Sequence, residues 1–262
     1  MRKFGIKLWS NDFVKNPNFV RQCVKSVKDG YFEYIELFVL PNTYEDIHAK
    51  IKNELKDISV VIHAPHSGQG FDTGNRERFA QNCSDLKASQ QYADLLNSNI
   101  IILHPGFEDS DDCLNESIRQ FKMFNDARIA VENMPYLCSS TNRILHGTSP
   151  AQIRKFVEEV KCQFCFDMSH AICSSNSYKR DIFADLAEYK SLNPVVYHFC
   201  DGHFASHNDE HLHCREGDYD LSLLLNKYID EHAFVTMETG KGLPTSIQPW
   251  LEDIVYIKSL EK

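Results

Sequence analysis

Eight short apolar runs recur along this chain with stretches of helical period between them, and six of the eight close on an imidazole or a carboxylate. These six are ISVVIH ending at His63, NIIILH at His104, RIAVE at Glu132, CQFCFD at Asp167, PVVYH at His198 and FVTME at Glu238; KFGIKLW and EYIELFV complete the set. Strand alternating with helix implies parallel strands joined by right-handed crossovers, and such a sheet closes naturally at eight. A lone residue of this kind is ordinarily a solvated turn residue or a satisfied core histidine. Six in register on parallel strands converge on one rim, where carboxylates repel one another unless a cation neutralises them.

Between the runs, helices are expected over NPNFVRQCVKSVKDG, with Asn16 as cap, Pro17 in the first turn and Gly30 past the end, then near Tyr44 to Leu55 and from about Arg76 to Leu96. Further helices are expected near Asp111 to Phe124, Pro150 to Val160, Asp181 to Tyr189, Leu221 to Tyr228 and Thr245 to Leu260. The segment from Cys200 to Tyr219 is the longest polar connection. Together these make eight βα units. At 262 residues the chain is used up by one barrel, which takes roughly 250 residues. The expectation is therefore an α/β protein with a single (β/α)8 TIM-barrel domain spanning residues 1–262, and chemistry at the C-terminal ends of its strands.

Hydrophobic residues make up 42% and charged residues 25% of the chain, which excludes the disordered and fibrous classes. No apolar run approaches the roughly 20 residues of a membrane span, and MRKFGIKLW lacks the marks of a signal peptide, so a soluble, cytoplasmic protein is expected. Nine cysteines, odd in number and irregular in spacing, read as reduced thiols. Cys162 and Cys165 have zinc-knuckle spacing, but within a strand residues three apart point to opposite faces, which argues against shared ligation. The net charge of -9 argues against a nucleic-acid partner unless bound cations cancel charge at the site.

Three more candidates join the six. His170 stands three residues beyond Asp167 in CFDMSH, and the loop after the seventh strand carries Asp209 and His211. The set of nine, His63, His104, Glu132, Asp167, His170, His198, Asp209, His211 and Glu238, mixes neutral imidazole with carboxylate oxygen. That chemistry suits zinc, and manganese or another divalent metal less exclusively. Nine ligands are enough for a cluster. His203, His207 and His213 are read as solvated, supporting or substrate-facing, Asp201 as a supporting residue, and His66 as a loop residue within reach of a substrate; Glu216 and Gly217 are read as shaping the loop.

The stretches VVIHAPHS, IILHPGF, IAVENMP, CFDMSH, HFCDGHFASHNDEHLHCREG and VTMETG resemble, in order, those of endonuclease IV, the apurinic/apyrimidinic endonucleases built on a xylose isomerase-like TIM barrel. The resemblance implies up to three zinc ions. His63 and His104 would hold one, with Glu132 bridging to a second held by Asp167, His198 and Glu238; His170, Asp209 and His211 would hold the third. It also implies a DNA-repair hydrolase that cuts damaged duplex DNA on the 5′ side of an abasic site, with Glu132 and Glu238 among its catalytic residues. The sequence departs from the family at His66, usually tyrosine, at CFDMSH, at VENMPYLCSS and in the loops KLWSND and FVLPNT, which lack the DNA-reading pattern. A divalent-metal-dependent sugar isomerase or epimerase also resembles the chain through Glu132, Asp167, His198 and Glu238, and would take a small sugar. A barrel that keeps its ligands without activity is a third reading.

Overall fold

The computed structural model describes residues 1–110, 112–138, 141–240 and 245–262. Strands β1 (Lys3–Trp9), β2 (Tyr34–Phe38), β3 (Ser59–His63), β4 (Ile101–Leu103), β5 (Ile129–Glu132), β6 (Gln163–Asp167), β7 (Val196–Phe199) and β8 (Phe234–Met237) pair in chain order, and β8 returns to β1. Every pairing is parallel. The expected closed (β/α)8 barrel is the fold.

Alternation along the strands divides the buried residues into two groups. One face, with Ile35, Leu37, Ile62, Leu103, Val131, Phe166 and Val235, packs against the helices as the main core. The other face fills the barrel: Tyr34, Val61, Ile102, Ala130, Cys165 and Val196 form a separate apolar cluster. Two residues further along β2, β3, β5, β6 and β7, on that same inward face, stand Glu36, His63, Glu132, Asp167 and His198, all buried. His104 follows β4 by one residue and Glu238 follows β8 by one, so both ligand candidates stand just past their strands. Gly5 on β1 is required by the filling, because a Cβ there would lie 2.3 Å from the Tyr34 ring. Tyr34 in turn reaches across to β8, where its hydroxyl and the Thr236 Oγ1 are 2.7 Å apart.

The outer layer contains α1 (Asp12–Lys15), α2 (Pro17–Lys28), α3 (Tyr44–Glu54), α4 (Phe79–Leu96), α5 (Cys113–Phe124), α6 (Pro150–Lys155), α7 (Met168–Tyr178), α8 (Ile182–Lys190), α9 (Leu221–Tyr228) and α10 (Gln248–Leu260). Local signals explain several ends. Pro17 and Pro150 occupy first turns, Gly30 follows α2 with φ 82°, and Ser149, Asp181 and Asp220 accept backbone N–H groups at the starts of α6, α8 and α9. The expected Arg76 to Leu96 helix begins with a 3-10 turn at Arg76–Arg78, and the Pro150 to Val160 helix ends in a π turn at Phe156–Val160. Asp111, expected to open α5, lies outside the described residues.

Two helices were not expected. The short α1 interrupts the loop after β1, and α7 follows β6 directly, where only α8 had been foreseen. The reason for the second miss is physical. Met168 to Ser175 are all buried, so α7 has no apolar stripe against a polar face, and its MSHAICSSNSY composition is poor in strong helix formers.

Candidate metal centre

The start of α7 is set by a residue that also faces the barrel mouth. Asp167 is the N-cap: one carboxylate oxygen, Oδ1, accepts the His170 N–H at 2.7 Å. The other, Oδ2, is left 3.6 Å from His170 Nδ1 and 3.7 Å from His198 Nδ1. The spacing Asp-x-x-His is thus an N-cap spacing that brings both side chains to one point.

Glu132 lies at the centre. Its Oε2 is 3.3 Å from His63 Nε2 and 3.0 Å from His104 Nε2, while Oε1 is 3.2 Å from His170 Nδ1 and 3.3 Å from His198 Nδ1. His198 Nδ1 is also 3.4 Å from Glu238 Oε2. On the far side, His170 Nε2 is 3.5 Å from Asp209 Oδ2, which also contacts His211 Nε2. All nine candidate residues therefore meet at the C-terminal mouth of the barrel. Groups of donors close enough to share an ion include His63 with His104 and Glu132, and Glu132 with Asp167 and His170.

The loop that delivers Asp209 and His211 is organised by Asp201. This buried carboxylate accepts backbone N–H groups from Gly202, Arg215, Gly217 and Tyr219 at 2.8 to 3.3 Å. Gly217 is needed for the closure, since a Cβ there would lie 2.2 Å from the Gly202 carbonyl oxygen. His211 adopts a left-handed backbone, φ 49°, uncommon for a non-glycine residue and held by bonds at both ends of the residue. Its Nδ1 donates to the Glu238 carbonyl at 2.7 Å, and its own carbonyl accepts the Gly240 N–H at 2.8 Å. Ser169 Oγ donates to Asp209 Oδ1 at 2.8 Å.

The donor chemistry fits divalent ions. A metal-bound histidine usually donates its other ring N–H to an acceptor. Four of the five imidazoles have one: His63 Nδ1 on the Ala64 carbonyl, His170 Nδ1 on the Asn133 carbonyl, His198 Nε2 on Glu36 and His211 Nδ1 on the Glu238 carbonyl. Burial pushes the Asp167 carboxyl up to about 7, and against the pull of His170 its neighbours Asp209, Glu132 and Glu238 add to the rise. Burial holds His104 down at about 4, leaving a neutral ring with a lone pair to give.

Sequence reasoning missed Glu36. It lies mid-strand in YIELF with 0% of its surface exposed, the carboxylate accepting from His198 Nε2 at 3.0 Å and Thr236 Oγ1 at 2.6 Å. A single charge inside an otherwise apolar strand was the available signal. Of the cations near the rim, Lys7 turns inward to Glu36 and Glu238. Arg76 is spent on Glu116, Arg180 on Asp185, Arg78 on the Gly70 carbonyl and Arg215 against Tyr256. His203 pairs with Glu210, His207 with Ser177 and His213 with Asp253. No disulfide joins any of the nine cysteines, and Cys162 precedes β6 rather than lying within it.

Above the mouth opens a cavity of about 700 Å³, whose lining includes Lys7, Trp9, Phe38, His66, Leu137 and Trp250. His66 is among the lining residues, its ring stacked 5.3 Å from that of His104. No helix among the described residues is long and apolar enough to cross a membrane.

Comparison with known proteins gives both kinds of neighbour. A probable endonuclease 4 of Metamycoplasma arthritidis (strain 158L3-1) is 22% identical over 244 residues, covering 84% of this chain and 86% of the relative. A D-tagatose 3-epimerase-like protein superposes with TM-score 0.71 at 18% identity, over 98% of this chain and 95% of the other. Endonuclease IV from Thermus thermophilus superposes with TM-score 0.66 at 16% identity, over 98% of each chain. At those identities the two structures share the fold, and the reaction is a separate question. Residues 24–258 match the description "Xylose isomerase-like TIM barrel", and the chain belongs to that family.

Proposed function

We propose that this chain, with residues 1–262 as one barrel domain, is a metal-dependent phosphodiesterase of the endonuclease IV kind, acting on duplex DNA at abasic sites. One observation carries the reading: each oxygen of the buried Glu132 carboxylate faces its own pair of imidazoles. A carboxylate placed so can be shared between two ions, which a one-metal enzyme does not need. His63 and His104 would hold one ion with Glu132, then Asp167, His198 and Glu238 a second, then His170, Asp209 and His211 a third, zinc being the first choice for such donors. Bound divalent ions supply charge neutralisation at phosphoryl oxygens and a water acidic enough to attack, which replaces a serine or cysteine nucleophile.

The chain's own residues do the rest. Glu132 and Glu238 are the proposed catalytic carboxylates, and both line the cavity a substrate would enter. Glu36 fixes the His198 ring so that Nδ1 faces the centre. Lys7 adds a permanent positive charge in the cavity wall, where an anionic substrate arrives. Extrusion of a nucleotide costs least where the base is missing, which favours abasic sites.

A second reading has its own support. A cavity of about 700 Å³ walled by Trp9, Phe38 and Trp250 is of the size that encloses a small molecule, and Glu132, Asp167, His198 and Glu238 suffice for the single ion of a sugar isomerase or epimerase. The test is incubation of the zinc-loaded protein with an oligonucleotide duplex carrying one abasic analogue, with and without chelator. Chelator-sensitive incision 5′ to the analogue is expected. Intact DNA, together with epimerisation of a ketose under manganese, would select the sugar enzyme.

A further inference from the structure

Three groups of possible metal donors at the mouth include a residue outside the nine, and one of them has a cation set between its carboxylates. Glu36, His198 and Glu238 are all buried and present donor atoms within 4.8 Å of one another. Between the two carboxylates lies an ammonium. Lys7 Nζ is 3.1 Å from Glu36 Oε1 and in contact with Glu238 Oε1. Strand register puts it there: Lys7 pairs with Glu36 across β1 and β2, and Ile6 pairs with Met237 across β1 and β8, so Lys7 and Glu238 are the next residues along. Three neighbouring strands thus carry a row of negative, positive and negative charge on the inward face.

We infer that Lys7 is a built-in cation: it occupies, between Glu36 and Glu238, a position that these donors and His198 would otherwise give to a divalent ion. The inference rests on the metal-dependent reading above and deepens it. The consequences are geometric. With its Oε1 held by Lys7, Glu238 offers only Oε2 to His198 and to the centre beyond. With Lys7 on its Oε1, Glu36 keeps Oε2 for His198 Nε2 and Thr236, and acts as an orienting partner rather than a ligand. Lys7 is then a positioning residue that limits how many ions the mouth takes up. Removing the ammonium while keeping the side-chain volume takes from the two buried carboxylates the positive charge between their Oε1 atoms, and a divalent ion is the group that restores it.

The test compares wild type with K7M, K7R and the double variant K7M/E36Q. Each full-length protein is loaded with Mn2+ alone, dialysed against metal-free buffer and counted for ions per chain by inductively coupled plasma mass spectrometry. K7M should hold one ion more than wild type, K7R the same number as wild type, and K7M/E36Q should lose the added ion. Equal counts in K7M and wild type would overturn the inference. If K7M does not fold without metal, recovery of its circular dichroism spectrum on adding Mn2+, but not on adding matched NaCl, supports it, and no recovery overturns it. The decision rests on the difference between variants, whereas the metal-dependent reading itself stands or falls on the wild-type count.

Discussion

Glu132 has two imidazoles on each of its carboxylate oxygens. Its replacement in E132A should lower the ion count from three to two, because His63 and His104 are left as two ligands while the Asp167, His198 and Glu238 set and the His170, Asp209 and His211 set each keep three; dialysed protein counted by mass spectrometry gives the answer. His146 makes a separate prediction away from the centre. Burial holds this imidazole down at about 4, against the carbonyls of Pro105 and Phe107, which raise it. Its folded pKa is thus below the unfolded value near 6.5, so the unfolded state binds the extra proton between those values. Its contribution to stability is complete above about pH 6.5 and is lost as pH falls toward 4, a change on the order of 3 kcal/mol. Urea denaturation at pH 7 and pH 4.5 should show wild type losing more stability than H146Q, and equal losses would refute the assignment. Seven of the nine candidates were visible in the sequence because six close an apolar run and His170 stands three residues beyond one of them, while Asp209 and His211 stood out as a pair two apart in the loop after the seventh strand. Glu36 was not, because a charge in mid-strand gives no sign of which face it takes until the register is known.

At the level of elements, the centre depends on α7 and on the loop after β7. The loop rests on Asp201, whose carboxylate receives four backbone N–H groups. D201A leaves those donors without an acceptor and should cost about 3 kcal/mol, read as a lower midpoint of thermal unfolding, together with loss of the ion at Asp209 and His211. An unchanged ion count in D201A would show that the loop is held otherwise. The barrel floor offers a matching test. G5A drives a methyl into the Tyr34 ring and should destabilise by about 2 kcal/mol or more, whereas G5A/Y34F should recover none of it, since the phenyl ring that collides is unchanged. The strands were legible from their apolar runs and β-branched content. Helix α7 was not, because complete burial removes the amphipathic period that reveals a helix, and its start is written only in the Asp167 cap.

For the whole molecule, eight parallel strands bring to one rim residues as far apart in the chain as Lys7 and Glu238. That convergence was foreseeable from strand alternation alone. The charge of the rim was not, since most of its arginines turn out to be paired with local acceptors while Lys7 faces inward. A chain of net charge -9 with Lys7 alone among the described lysines and arginines lining the cavity relies on bound cations to attract a polyanion. DNA binding should therefore weaken sharply on metal removal, by tenfold or more in Kd, a change that fluorescence anisotropy with an abasic duplex measures directly. The most direct test of the central claim is anomalous diffraction at the zinc edge from crystals of the zinc-loaded protein. Three peaks, two of them flanking Glu132 and the third among His170, Asp209 and His211, are the predicted result; a single peak among Glu132, Asp167, His198 and Glu238 would contradict it.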